Sequence, residues 1–328
     1  MKLSVVISAF NEEKKIRNCL ESVKWADEIV FINNSSTDRT AEIARRYTAK
    51  IYTQKNDYNN IDLQKNLGIE KAIGEWVLLL DADEIVTEEL ALEIKNVICH
   101  PDNSPRHPEG SEGYHINKLK IDSSAEPQND INGYEIPRKN IIFGKWIQHS
   151  GWYPDYQLRL FRRGLGKYEK KHYHEPINVG GKISKLNNPL IHNNFETISQ
   201  FLYKHLIIYA PNEAEDLLRK GYKFDWRGAI RLPMSEFLSR FFAREGYKDG
   251  LHGLILSMLM GFYHLTIFVY LWEKKNFVEV KENMLHGLKE ELQKTKKEVK
   301  YWLYAKEIEH EKNPLKKTGL KLKRKINL

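Results

Sequence analysis

Cysteine is almost missing from this chain. Cys19 and Cys99 are the only two among 328 residues, so no disulfide framework can staple the fold, and a reducing compartment is the expected setting. Two glycine signatures are absent as well. No G-x-G-x-x-G follows the first apolar run, and no G-x-x-x-x-G-K-[ST] occurs anywhere, which argues against dinucleotide-binding and P-loop readings. Acids vanish at one end. From Asn313 onward the chain reads NPLKKTGLKLKRKINL, with six Lys or Arg and no Asp or Glu. Such an end serves RNA, DNA or an anionic bilayer, or stays a solvated, disordered tail. Residues 1–10, MKLSVVISAF, are too short for a secretory leader and run directly into polar sequence, so a cytoplasmic protein is expected.

What is present points to a packed core. Hydrophobic residues make up 41% and charged residues 29%, an ordinary balance for a globular protein, and the length allows two domains or one α/β domain with an appendage. Lys2 to Ala9 is a short β-branched apolar run ended by Asn11-Glu12-Glu13. From Glu12 to Val23, Ile16, Leu20 and Val23 fall at helical spacing. EIVFIN (28–33) reads as a second strand, NSSTDRT as a loop leading into a helix, and KIYTQ as a third strand. A helix over Leu63 to Ala72, broken at Gly74, precedes a fourth strand, EWVLLLD. Strands that alternate with helices predict a mainly parallel sheet buried on both faces. Ligands of such sheets bind beyond the carboxyl ends of the strands, where Asn11, Asn33, Asp38 and Asp81-Ala82-Asp83 all fall.

The run WVLLLDADEIV (76–86) places three acids, Asp81, Asp83 and Glu84, within four positions at a strand end. Like charges so close repel unless a cation compensates them. Either they fan into water or they hold a metal. A divalent cation such as Mg²⁺ or Mn²⁺ could bridge them to a diphosphate through hard oxygens.

SVVISAFNEEKKI, INNSSTDRT, QKNLGIEKAIGEWVLLLDADE and the later GWYPDYQLRLFRR, in that order, together resemble the inverting glycosyltransferases of family 2, most nearly the bacterial branch that glycosylates the lipopolysaccharide core. The resemblance implies a GT-A fold, a nucleotide-sugar donor and metal-dependent transfer with inversion. Matched by position, Ala9, Phe10, Asn11 and Glu12 would line a nucleobase pocket, with Asn33 and Asp38 beside base and ribose. Lys65 and Asn66 would lie near the diphosphate or base, Asp81 would face the ribose or donor sugar, and Asp83 would ligate the metal. Most relatives carry Asp where this chain has Asn33; an amide still accepts through its carbonyl without charge, and UDP remains the favoured base. Asp38 would also suit the start of the next helix.

The middle of the chain supplies the acceptor side. Residues 100–132 are polar and rich in Pro, Gly, Ser and Asn, which predicts a surface insertion; His100, His107 and His115 within it lack the Cys partners or tight spacing of a zinc site. GYEIPRKNIIFGKWI then returns to strand-like sequence. An inverting transferase needs a general base for the acceptor hydroxyl, and Asp155, after Pro154 in an aromatic-rich loop, is the first candidate, with a turn aspartate as the alternative. Arg159 could pair with the departing diphosphate. In GT-A folds a histidine past the acceptor segment often completes the metal shell, a place His174 could fill, with Glu175 as its supporting partner or as a rival base.

Beyond His192 the pattern turns helical. The domain reading is therefore 1–195 for donor and acceptor binding, 196–312 for a helical region, and 313–328 for the basic tail. Residues 251–272 are long and apolar enough to span a bilayer. Because His264 sits mid-run, where an ionisable group is costly, a partly buried or interfacial helix is preferred. A charged helix from about Phe277 to Ile308 follows. Basic residues around it suit anionic lipid, and the expected location is peripheral, at the inner face of the cytoplasmic membrane, with a lipid-linked or lipopolysaccharide-core saccharide as acceptor. Two other classes fit less well. A sugar-phosphate nucleotidyltransferase would show a Gly-rich basic loop where SAFNEEKK stands. A nucleic-acid-binding protein would interleave basic and aromatic residues across its folded part.

Overall fold

The computed structural model describes residues 2–57, 60–99, 131–169 and 177–326. His174, Glu175 and the stretch 100–130, with its three histidines, lie outside these residues. Internal packing divides the chain into two units, residues 1–139 with 154–194, and residues 140–153 with 195–328. The elements run β1 (Leu3–Ala9), α1 (Ile16–Glu21), β2 (Glu28–Asn33), α2 (Thr40–Ala44), β3 (Ile51–Thr53), α3 (Lys65–Lys71), β4 (Trp76–Asp81), β5 (Glu84–Val86) and α4 (Glu88–Cys99). Then follow β6 (Ile131–Ile142), β7 (Lys145–Trp146), β8 (Asp155–Arg162), β9 (Gly166–Lys167), β10 (Asn178–Val179), β11 (Lys182–Lys185) and β12 (Leu190–Phe195). The α-helices that follow among the described residues are α5 (Ile198–Leu202), α6 (Ala210–Arg219), α7 (Gly228–Leu238), α8 (Leu251–Lys274), α9 (Met284–His310) and α10 (Pro314–Ile326).

In the first unit the strand order is β3-β2-β1-β4-β8-β6-β12-β5. β1 to β4 pair in parallel, while β8 pairs antiparallel with both β4 and β6, and β12 antiparallel with β5. Alternate residues of each parallel strand feed opposite faces. Val5, Ile7, Phe31, Leu78 and Leu80 join one buried cluster, and Val6, Val30, Ile32, Val77 and Leu79 join the other. Burial on both faces is why these strands read as unbroken apolar runs. Gly68 lets α3 lie against the sheet, since a Cβ there would stand 2.4 Å from Val6 Cγ1. That close seating carries Lys65, at the start of α3, down to the end of β4.

The second unit is helical. Leu256, Met260, Tyr263, Ile267 and Leu271 of α8 enter a core with Ile142, Ile147, Phe195, Phe201, Ala210 and Ala214. Helix α8 is long and apolar enough to cross a membrane, with a mean hydropathy of 1.9 in its most apolar window, and 44% of that window is buried. One face is therefore an ordinary packing face. On the other side Leu251, Ile255, Met258, Phe262 and Val269 are exposed at spacings that keep them on one stripe. The tail is helical from Pro314 to Ile326, capped by Asn313, whose side chain accepts from the Leu315 amide at 3.0 Å. Helix α9 starts at Met284, later than the charge pattern suggested, because Asn276 and Phe277 adopt left-handed backbone (φ 54° and 53°) and Asn283 caps the helix.

Candidate active site

Loops after β1 and β2 are laced together at the carboxyl edge of the sheet. Ala9 is buried and pairs with Asn33, and its carbonyl accepts the Asn34 amide at 2.9 Å. Phe10 follows, half-buried. Asn11, left-handed at φ 55°, accepts the Thr37 amide at 2.8 Å. The amide of Glu12 donates to Thr40 Oγ1 at 2.7 Å. Asp38 accepts from the Glu13 amide at 3.1 Å and the Thr40 amide at 3.0 Å. Against a burial that would raise it, those donors hold the Asp38 carboxyl below its ordinary range. Asn33 Oδ1 accepts the Ser36 amide at 3.0 Å. Both candidates in this loop thus shape it as well as border it.

At the end of β4 the acids separate into two environments. Asp81 is gripped by Lys65 Nζ at 2.7 Å and Arg159 Nη2 at 2.6 Å. Burial would raise its pKa, but Arg159 and then Lys65 hold it well below the carboxylate range. Lys65, itself buried, is pushed above the usual lysine range because Asp81 overrides the cost of desolvation. Glu84 is fully buried, accepting Arg159 Nη2 at 2.6 Å and the Asp81 amide at 2.9 Å. Asp83 differs. Its neighbours are His192 Nε2 at 3.7 Å and Lys15 Nζ at 3.9 Å.

Arg159 therefore faces carboxylates. Its Nη2 reaches inward from β8 and ends between Asp81 and Glu84. Asn66 is likewise occupied. It donates Nδ2 to the Tyr168 carbonyl and accepts the Tyr168 amide, both at 2.9 Å, while the Lys65 ammonium stands 5.7 Å from the Tyr168 ring centre. Asp155 opens β8 opposite Arg138 of β6. Arg138 Nε and Nη2 reach its Oδ2 at 2.9 and 2.5 Å, and Gln157 Nε2 reaches Oδ1 at 3.0 Å.

Among the described residues no group of three or more His, Cys, Asp or Glu side chains gathers for a metal. The Asp83–His192 pair still fits a divalent cation. Mg²⁺ in particular is commonly held by one or two protein groups together with substrate phosphates, and burial lowers the His192 pKa against the pull of Asp83, so the imidazole is neutral and able to ligate. His192 escaped the sequence reading, as did Arg138 and Lys15, while Glu84 was read only as one of the acids at the strand end. The signal for His192 was weak: it is a polar residue inside the strand LIHNNF, and only the pairing of β12 with β5, His192 opposite Glu84, brings it to the acids.

Residues 4–104 match the family model described as Glycosyl transferase family 2. An uncharacterized glycosyltransferase of Rickettsia typhi is 26% identical over 274 residues, covering 80% of this chain and 83% of that protein. The lipopolysaccharide core biosynthesis glycosyltransferase LpsC of Rhizobium meliloti is 23% identical over 263 residues, covering 79% and 87%. Among solved structures, S. aureus TarS 1–349 in complex with UDP-GlcNAc aligns at TM-score 0.40 and 15% identity over 81% of this chain and 82% of that one. Residues 4–104 of this chain are a glycosyltransferase family 2 domain, and the protein is a glycosyltransferase.

Proposed function

We propose that this glycosyltransferase moves a hexosyl group, with inversion, from a UDP-hexose to a saccharide hydroxyl in lipopolysaccharide core or a related cell-envelope glycan. The observation that carries the reading is the division of the acids at the end of β4: Asp81 neutralised by Lys65 and Arg159, and Asp83 beside His192. Ligands of parallel sheets bind at this edge. Asp83 and His192 would hold Mg²⁺ or Mn²⁺, which supplies charge neutralisation for a departing diphosphate. Asp81, kept ionised and immobile, accepts hydrogen bonds from ribose or donor-sugar hydroxyls. The loop of Ala9, Phe10, Asn11 and Glu12 faces the base with Asn33 and Asp38. Asp155 takes the acceptor proton while the hydroxyl oxygen bonds to the anomeric carbon and the UDP oxygen leaves with the bond pair.

An acceptor in lipopolysaccharide core is supported by the similarity to LpsC along most of both chains. Attachment to an anionic membrane surface is supported by the apolar stripe of α8 and by α10, which carries six basic residues and no acid. Calorimetric titration of UDP, then GDP, with and without Mn²⁺, tests the donor site on the wild type, Asp83→Ala and His192→Ala. Mn²⁺-dependent UDP binding that either substitution weakens at least tenfold is expected. Equal binding in all three proteins would refute the assignment of Asp83 and His192. Flotation with phosphatidylglycerol vesicles, lost when Lys316, Lys317, Lys321 and Lys323 are changed to Gln, tests the membrane surface.

A further inference from the structure

Six charged side chains of the first unit form a row of alternating sign. Lys65 meets Asp81, Asp81 meets Arg159, and Arg159 meets Glu84, at 2.7, 2.6 and 2.6 Å. From there Arg138 Nη1 stands 3.7 Å from Glu84 Oε1, and its Nη2 stands 2.5 Å from Asp155 Oδ2. The middle of the row is sealed and one end is open: side-chain exposure is 0% at Glu84, 17% at Arg138 and 25% at Asp155. Ion pairs buried this way contribute little net stability, because desolvation offsets the attraction. A row that runs from a buried anchor to a solvent-facing carboxylate is better explained by what it does to that carboxylate.

We infer that Arg138 is a positioning residue for the general base: pinned by Glu84 on one side, it holds Asp155 in its charged form and in one orientation. The inference rests on Asp155 being that base, as proposed above. Only a guanidinium can do this. Nε and Nη2 grip one oxygen of Asp155 while Nη1 turns to Glu84, a fork that a lysine ammonium does not have. Glu84 is fixed from behind by Arg159 and the Asp81 amide, so Arg138 has an immobile partner. The amide of Gln157 on the same strand, which is uncharged, donates to the other oxygen of Asp155, and Arg138 brings a cation that favours the carboxylate. An arginine at hydrogen-bonding distance lowers a carboxyl pKa by about 1–3 units.

The test uses the full chain carrying ¹³C-labelled aspartate, with the Asp155 carboxyl signal assigned by its loss in Asp155→Asn. Its titration is followed in the wild type, Arg138→Gln and Arg138→Lys, alongside UDP affinity in Mn²⁺ and the pH profile of UDP release from UDP-glucose, in which water replaces the acceptor hydroxyl. The expected result is a midpoint about one unit or more higher in Arg138→Gln and a smaller rise in Arg138→Lys. The acid limb of UDP release should move up with it, while UDP affinity stays within about threefold of wild type. A midpoint that does not move in Arg138→Gln, with UDP affinity kept, overturns the role of Arg138. Should Arg138→Gln lose UDP binding with its fold, Arg138→Lys decides by the same criterion. Wild-type UDP release by Asp155→Asn would instead remove Asp155 as the base, a failure of the earlier reading that the Arg138 titration does not share.

Discussion

Arg159 is the most instructive residue to remove. It is 5% exposed, and its Nη2 lies 2.6 Å from both Asp81 and Glu84. Arg159→Met keeps the apolar stem and takes away the charge. Asp81 retains Lys65 at 2.7 Å, but among the described residues Glu84 retains the Asp81 amide and the more distant Arg138 at 3.7 Å. Breaking a buried pair by deleting one partner costs about 3–5 kcal/mol; with two residual contacts, about 3 kcal/mol is expected here. Neutralising the stranded acid should return part of that. In the double variant Arg159→Met/Glu84→Gln, the amide still accepts from Asp81, and a coupling of about 2 kcal/mol is expected from residues in direct contact. Equilibrium urea unfolding of the wild type, both single variants and the double variant gives the cycle. Amide exchange on β4 and β8 assigns the loss to the first unit. A single-variant cost below about 1 kcal/mol, or strictly additive costs, would mean that the sheet centre is not held by this network.

Asn66→Ala strips both partners from the Tyr168 backbone, and the Tyr168 amide should exchange at least tenfold faster, read by hydrogen–deuterium exchange; an unchanged rate would count against the clamp. Gly253→Ala forces a Cβ to 1.8 Å from the Gly246 carbonyl oxygen, so a loss of about 3 kcal/mol or more is expected from overpacking, measured as a drop in Tm. His205 is buried, stacked at 4.0 Å on Phe201, and burial lowers its pKa from 6.5 to about 4. The unfolded chain therefore binds a proton that the folded one refuses, so stability is full above about pH 6.5 and falls as pH drops toward 4, by about 2 kcal/mol at pH 5. In His205→Phe this loss disappears. Its Tm relative to wild type should rise between pH 7 and pH 5, and a constant difference would refute the assignment.

The parallel strands were legible because burial on both faces keeps most of their positions apolar, with Ser4 and Ser8 as the small polar exceptions in β1. Helix α1 was read too long: it runs from Ile16 to Glu21, and the chain before it is tied by the Glu12 and Glu13 amides to Thr40 and Asp38 of the neighbouring loop, contacts that a local pattern cannot report. Likewise the tail could be read as solvated from its charge alone, whereas Asn313 caps a helix. At the site, Asp81 and Asp83 were visible as an acidic strand end. Lys65 and Arg159 were read as diphosphate neighbours and not as partners of Asp81, since Arg159 lies 78 residues away, and His192 arrives only through strand pairing.

The two acids of Asp81-Ala82-Asp83 resolve their repulsion in different ways, and that difference orders the chemistry. Asp81 has two protein cations within 2.7 Å, so it is compensated before any ligand arrives and keeps its charge and place. Asp83 has its nearest described cation, Lys15, at 3.9 Å, and a neutral imidazole at 3.7 Å. Its charge is less well neutralised, and a divalent cation gains more there than at Asp81. If both acids were equally compensated, Asp83→Asn and Asp81→Asn would weaken UDP binding alike whether or not Mn²⁺ is present. With the observed asymmetry, Asp83→Asn should abolish the Mn²⁺ enhancement, while Asp81→Asn should weaken UDP binding by a similar factor with and without Mn²⁺. Calorimetry on the two variants separates these outcomes, and a Mn²⁺ enhancement that survives in Asp83→Asn would refute the division of labour.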